Sequence, residues 1–222
     1  MKNALSFDDV LLVPKCSDIE SRSLIDISNE LSEHVYPLTL PVISSPMDTV
    51  TESTMASTMS KAGGLGIIHR YNTISEQVQL VHGARAAGAK VVGAAIGVAG
   101  EFEDRATALY DAGVKILCVD IAHGHHCSMK NALETLREVF GNTVHIMAGN
   151  VATLEGFNDL ADWGADSIRI GIGGGSICST RIQTGHGVPT FQSISDCSYT
   201  NRDVKIIADG GIKTNGDIVK AL

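Results

Sequence analysis

From about residue 40, short β-branched or apolar runs alternate with segments of helical period, and this alternation constrains the fold more than any other feature of the sequence. The strand-like runs are PVISSP (41–46), LGIIH (65–69), KVVGAAIG (90–97), VKILCVDI (114–121), VHIMAG (144–149), SIRIGI (167–172) and VKIIADG (204–210). Between them lie five helix candidates, TESTMASTMSKAG, ISEQVQLVHGARAAG, EFEDRATALYDAG, SMKNALETLREVFG and TLEGFNDLADWG, nearly all ending in glycine as a C-terminal cap does. Strand then helix, repeated without a hairpin signal, means parallel strands joined by right-handed crossovers.

An open doubly wound sheet and a closed barrel both satisfy that pattern, and the polar residues choose between them. Met47 and Asp48 follow the first run, His69 and Arg70 the second, Asp120 and His123 the fourth, Asn150 the fifth, a glycine loop the sixth and Asp209 the seventh. Functional groups after many strands mark a TIM (β/α)8-type barrel, whereas an open sheet gathers them at one switch point. Seven strands are visible, and the sequence stops at IVKAL inside what reads as the following helix. The expectation is one catalytic barrel domain over 1–222, with an N-terminal arm over 1–40, truncated before an eighth strand.

A formal net charge of -8 argues against nucleic acid or an acidic membrane as a partner, because neither polyanion is attracted by that field. The five cysteines (16, 118, 127, 178 and 197) are odd in number and contain no CxxC pair, which fits free thiols in a reducing cytoplasm. The N-terminus turns acidic before a signal-length apolar run develops, and no run reaches transmembrane length, so a soluble cytoplasmic protein is expected.

The stretch from Gly171 to Arg181 carries the most chemistry. Glycines 171, 173, 174 and 175 allow successive amides to converge on an anion, and Ser176 adds a hydroxyl. A phosphate cradle and a merely tight turn both remain open on residue type alone. Cys178 stands among Ser176, Thr180 and Arg181, a polar setting that favours thiolate, and a buried structural cysteine is the plainer alternative. His123, His125 and His126 lack a second ligand set at metal-binding spacing and read as a loop on the cofactor side.

GIGGGSICSTRIQTGHGVP (171–189) resembles the catalytic loop shared by IMP dehydrogenases and GMP reductases. FDDVLLVPK (7–15), SSPMDTVTE (44–52), GGLGIIHR (63–70), AGNVAT (148–153) and IADGGIKTNGDIVKAL (207–222) are similar to that family in the same order. The resemblance implies that Cys178 attacks C2 of a purine mononucleotide, forming a thioimidate adduct, with Thr180 assisting at the group on that carbon. It implies that Ser176 and the amides of the glycine loop hold the 5′-phosphate, that Asp209 accepts hydrogen bonds from the ribose hydroxyls, that Gly210 and Gly211 let the backbone approach, and that Ser45 and Met47 line the base and sugar pocket. It places Asp120 and Asn150 near the nicotinamide, assigns a monovalent cation such as K+ to the carbonyls of Gly173, Gly175 and Cys178, and implies a homotetramer. Gly174 departs from the proline common in the family, and Ser179 from threonine.

Within the family, the missing insert between strands two and three, PKCSDIESRSLID (14–26) and IMAGNV (146–151) favour NADPH-dependent GMP reductase. SSPMDTVTE and GGLGIIH favour the alternative, NAD-dependent IMP dehydrogenase. A third expectation is an inactive nucleotide-binding fragment.

Overall fold

A computed structural model describes residues 3–31, 33 and 37–222; of the arm expected over 1–40, residues 1, 2, 32 and 34–36 lie outside the described residues. Every predicted run contains a strand: β1 Ile43–Ser44, β2 Leu65–Ile68, β3 Gly93–Ile96, β4 Ile116–Asp120, β5 His145–Val151, β6 Ser167–Ile170 and β7 Lys205–Ala208. They form one seven-stranded sheet, every pairing parallel, in the order β1 to β7. Strand order equal to chain order, with helices between, is barrel topology, as the distribution of polar residues required.

The five helices expected from periodicity are present as α1 Ser53–Lys61, α2 Ile74–Ala86, α3 Phe102–Asp111, α4 Cys127–Phe140 and α5 Leu154–Asp162. Glycines 63, 88, 113, 141 and 164 follow them, each at positive φ, where a side chain is disfavoured. Two further helices, α6 Thr180–Thr184 and α7 Thr190–Cys197, lie in the long connection from β6 to β7, and α8 Asn215–Ala221 follows β7.

The sheet separates two apolar layers. Leu117, Val119, Ile146, Ala148, Ile168 and Ile170 pack outward with Leu133, Leu136, Phe157 and Leu160 of the helices. Leu65, Ile67, Ala95, Ile116, Cys118 and Met147 face inward, joined by Leu31 and Leu38 from the N-terminal segment. The period of two along a strand therefore puts Cys118 and Asp120 on the inner face, and likewise Ser167 and Arg169. Burial on both faces explains why the strands read as near-continuous apolar runs.

The N-terminal segment also anchors itself near β7. Phe7 is buried edge-on against Phe191 at 5.7 Å, and Lys220 Nζ donates to the Phe7 carbonyl at 2.7 Å. Among the described residues, no helix is long and apolar enough to cross a membrane.

The starts of α2, α4, α5 and α8 carry side-chain caps. At α5, the Thr153 hydroxyl accepts from the Gly156 amide at 3.2 Å, satisfying one of the donors a helix start leaves open. Thr153→Ala is expected to lower the unfolding free energy by about 1 kcal/mol. The denaturation midpoint should fall at unchanged slope, and an unaltered midpoint would show that water replaces the cap.

Candidate active site

The inner face ends, at the C-terminal edge of the strands, in a connected polar layer. Asp120 of β4 is in register with Gly149 of β5, Gly149 with Arg169 of β6, and Arg169 with Ile207 of β7. Adjacent strands lie about 4.8 Å apart, so Arg169 must reach across β5 to meet Asp120. Gly149 makes that reach possible, because a Cβ there would stand 2.7 Å from the Arg169 Cβ.

The guanidinium donates to Asp120 Oδ1 at 2.5 Å and to Asp209 Oδ2 at 2.8 Å, with only 10% of the arginine side chain exposed. Asn150 Nδ2 donates to the same Asp209 oxygen at 2.6 Å and to the Gly171 carbonyl at 2.9 Å. Burial works against the charge on Arg169, and the neighbouring Asp209 and Asp120 more than reverse this, so the guanidinium stays charged. Burial pushes the neighbouring Cys118 thiol up to about 12, which keeps it neutral and unfit as a nucleophile.

These bonds leave a defined set of atoms for a ligand. Asp120 and Asp209 each have one oxygen committed to Arg169 and a second that accepts no hydrogen bond among the described residues. Asn150 Nδ2 has two acceptors, which fixes the amide orientation and leaves Oδ1 buried without a partner. An orphaned buried acceptor fits a ligand group that donates N–H, such as a carboxamide. Arg169 was not among the candidate residues read from the sequence. Its signal was a charged residue between Ile168 and Ile170, on the inward side of the alternation.

Two cavities adjoin this layer. One of about 480 Å³ is bounded by β1 and β7 and lined by Ser45, Arg169, Ile207, Asp209 and Gly210. Met47, expected beside Ser45, does not line it, and its amide is turned back to the Ser45 carbonyl at 2.8 Å. The other, of about 360 Å³, is lined by Gly173, Gly174, Thr190 and Gly211, with Arg181 and Lys213 supplying positive charge. Gly210 and Gly211 thus open onto different cavities from adjacent positions.

The glycine loop lies directly over the end of β7. A Cβ on Gly174 would stand 2.1 Å from Thr190 Oγ1, and Gly210 packs against Gly175. The Thr190 hydroxyl fills the space that a side chain at position 174 would need, which matches the departure from proline found there. That hydroxyl is buried without a hydrogen-bond partner and lines the smaller cavity. Ser176 is exposed and lines neither cavity.

Cys178 is half-buried, and its thiol pKa is lowered. The Thr180 hydroxyl beside the sulfur is the main cause; burial opposes it, and backbone bonds from Thr180, Gly173 and Arg181 assist. Cys178 should therefore be alkylated by iodoacetamide with a pH midpoint below the usual thiol value, and Thr180→Val should raise that midpoint. Peptide mapping separates Cys178 from the exposed Cys16 and Cys127. Equal midpoints for the three thiols would refute the assignment.

The loop carbonyls do not fit a monovalent cation as arranged. Arg181 Nη1 donates to the Gly173 carbonyl at 2.7 Å and approaches that of Gly175 at 3.4 Å, and the Gly175 carbonyl also accepts from the Cys178 amide at 3.2 Å. A guanidinium already holds the position where the cation was expected.

Three other polar residues after the strands have structural partners. His125 Nε2 pairs with Asp159 at 2.7 Å, His126 caps α4 by accepting from the Ser128 amide, and Arg70 donates to the Asp120 carbonyl at 3.2 Å. Among the described residues, no group of three or more His, Cys, Asp or Glu is placed to hold a metal ion.

Comparison with known proteins gives one family. A model described as "IMP dehydrogenase / GMP reductase domain" matches residues 4–222. An inosine-5'-monophosphate dehydrogenase of Cryptosporidium parvum is 38% identical over 98% of this chain and 64% of its own length. A GMP reductase of Leishmania major is 29% identical over all of this chain and 72% of its own length. The crystal structure of inosine 5' monophosphate dehydrogenase from Legionella pneumophila superposes with a TM-score of 0.90 at 47% identity, covering 99% of this chain and 66% of that one.

Proposed function

The chain belongs to the IMP dehydrogenase / GMP reductase family of purine nucleotide oxidoreductases, and from that premise we propose that it converts GMP to IMP, with NADPH as reductant, through a covalent bond from Cys178 to purine C2. The observation that carries this reading is the Cys178 thiol, its pKa lowered by Thr180 and by backbone bonds, at the mouth of a parallel-strand barrel.

The nucleotide lies across both cavities. Asp209 accepts from the ribose hydroxyls with its uncommitted oxygen, beside Ser45 and Gly210. The 5′-phosphate sits past Gly211, in the cavity lined by Gly173, Gly174 and Gly211 together with Arg181, Lys213 and Thr190, whose hydroxyl has no partner.

Chemistry begins when the Cys178 thiolate adds to C2; the exocyclic amine takes a proton and leaves as ammonia, giving the adduct. Thr180, its hydroxyl against the sulfur, passes a proton at that carbon. A nicotinamide cofactor, when bound, supplies hydride to C2, after which the C–S bond breaks and the thiolate is restored. Asn150 and the free oxygen of Asp120 would hold that cofactor on its carboxamide side.

A second reading is the NAD-dependent oxidation of IMP. It is favoured by the 47% and 38% identities to proteins named as dehydrogenases, against 29% to one named as a reductase. Incubating the purified chain with GMP plus NADPH, and separately with IMP plus NAD, decides between them by nicotinamide absorbance. Loss of absorbance in the first mixture supports the reductase, and gain in the second supports the dehydrogenase. Silence in both, with nucleotide bound, means that this chain acts as a nucleotide-binding protein.

A further inference from the structure

We infer that Arg169 is a positioning residue that couples the ribose carboxylate to the cofactor carboxylate, so that each ligand's subsite is set partly by residues touching only the other. The inference rests on the assignment of Asp209 to the nucleotide and of Asp120 to the cofactor.

One guanidinium holds both carboxylates. Nη1 is 2.5 Å from Asp120 Oδ1, and Nη2 is 2.8 Å from Asp209 Oδ2, across the full width of β5. The planar fork fixes the relative orientation of its two donors, so rotation of one carboxylate is felt at the other. The three charges sum to about one negative charge in a layer where Arg169 is 10% exposed, Asp120 19% and Asp209 24%. Releasing either carboxylate would leave a buried guanidinium half-paired, so both anchors hold together or loosen together. Asn150 joins the network by donating to Asp209 and to the Gly171 carbonyl, and its own Oδ1 is buried without a partner.

A simple contact role and a coupling role predict different results. If Asp120 only touches the cofactor, Asp120→Asn leaves nucleotide affinity unchanged when no cofactor is present. The clamp predicts instead that Asp120→Asn weakens IMP and GMP binding at least about five-fold without cofactor, and that Asp209→Asn weakens NADPH or NAD binding similarly without nucleotide. The double variant should lose less than the product of the two single losses. Arg169→Lys, which keeps the charge but cannot fork, should reproduce both cross effects and serves if either asparagine variant fails to fold.

Titration calorimetry of the full chain with IMP, GMP, NADPH and NAD, each alone, reads all of these. Single variants that weaken only their own ligand, with losses that multiply in the double variant, overturn the clamp. Wild-type chain that binds none of the four ligands overturns the functional reading and the clamp with it, an outcome distinct from binding without cross effects.

Discussion

Cys178→Ala should remove nucleotide-dependent turnover of the nicotinamide, by on the order of 10⁴-fold or more, while IMP and GMP affinity changes only a few-fold. The asymmetry follows from where the parts of the site come from. Binding is assigned to Asp209, the glycine amides and the cations around the smaller cavity, and none of these depends on the sulfur. The covalent step depends on it entirely, because the loop's lowered thiol pKa has no other group to act on. The other buried thiols cannot substitute: Cys118 and Cys197 are both pushed up to about 12 by burial. Serine at position 178 should be nearly as inactive, since a hydroxyl keeps too high a pKa to attack C2 unaided. Acid-quenched samples of the wild type incubated with nucleotide should gain the mass of a nucleotide adduct at Cys178, and the alanine variant should not. Persistent turnover in Cys178→Ala would remove the covalent mechanism altogether.

The strands were legible because burial on both faces makes most of them near-continuous apolar runs, and five helices were legible because glycine closes each of them. α7 escaped for a definable reason. Its buried positions are Thr190, Ser193 and Cys197, small and mostly polar, and its eight residues make only about two turns, too short a run for a helical period to stand out. α6 has only five residues and buries none of them. The site residues at strand ends were legible individually, since Asp120, Asn150 and Asp209 each follow an apolar run. Their connection was not. It depends on Arg169, whose partners lie on other strands and become neighbours only through a register that no local pattern encodes. The cation site was expected from a resemblance at Gly173, Gly175 and Cys178, and the side chain that bonds the Gly173 carbonyl, Arg181, lies eight residues further on.

Gly171→Ala should be the most damaging single-carbon change in the loop. Gly171 has φ +148, where a side chain is strained, and a Cβ there would stand 1.9 Å from the Asp209 carbonyl oxygen. That oxygen belongs to the backbone where β7 leaves the sheet, next to the bond from the Asp209 amide to the Ile170 carbonyl at 2.8 Å, so it cannot rotate away as a side chain would. Relief requires the ends of β6 and β7 to separate, which breaks that bond and draws Asp209 from Arg169 and Asn150. Backbone strain and the lost contacts together should lower stability by about 3 kcal/mol or more. Gly100→Ala supplies the comparison: φ is +66 and no atom lies within 4 Å of the added Cβ, so only backbone conformation is tested and about 1 kcal/mol is expected. Denaturation midpoints compare the two variants, and nucleotide titration should show weakened binding for Gly171→Ala alone. Equal losses in both would mean that the Gly171 effect is one of φ, and that the strand ends have room to accommodate the methyl group without moving Asp209.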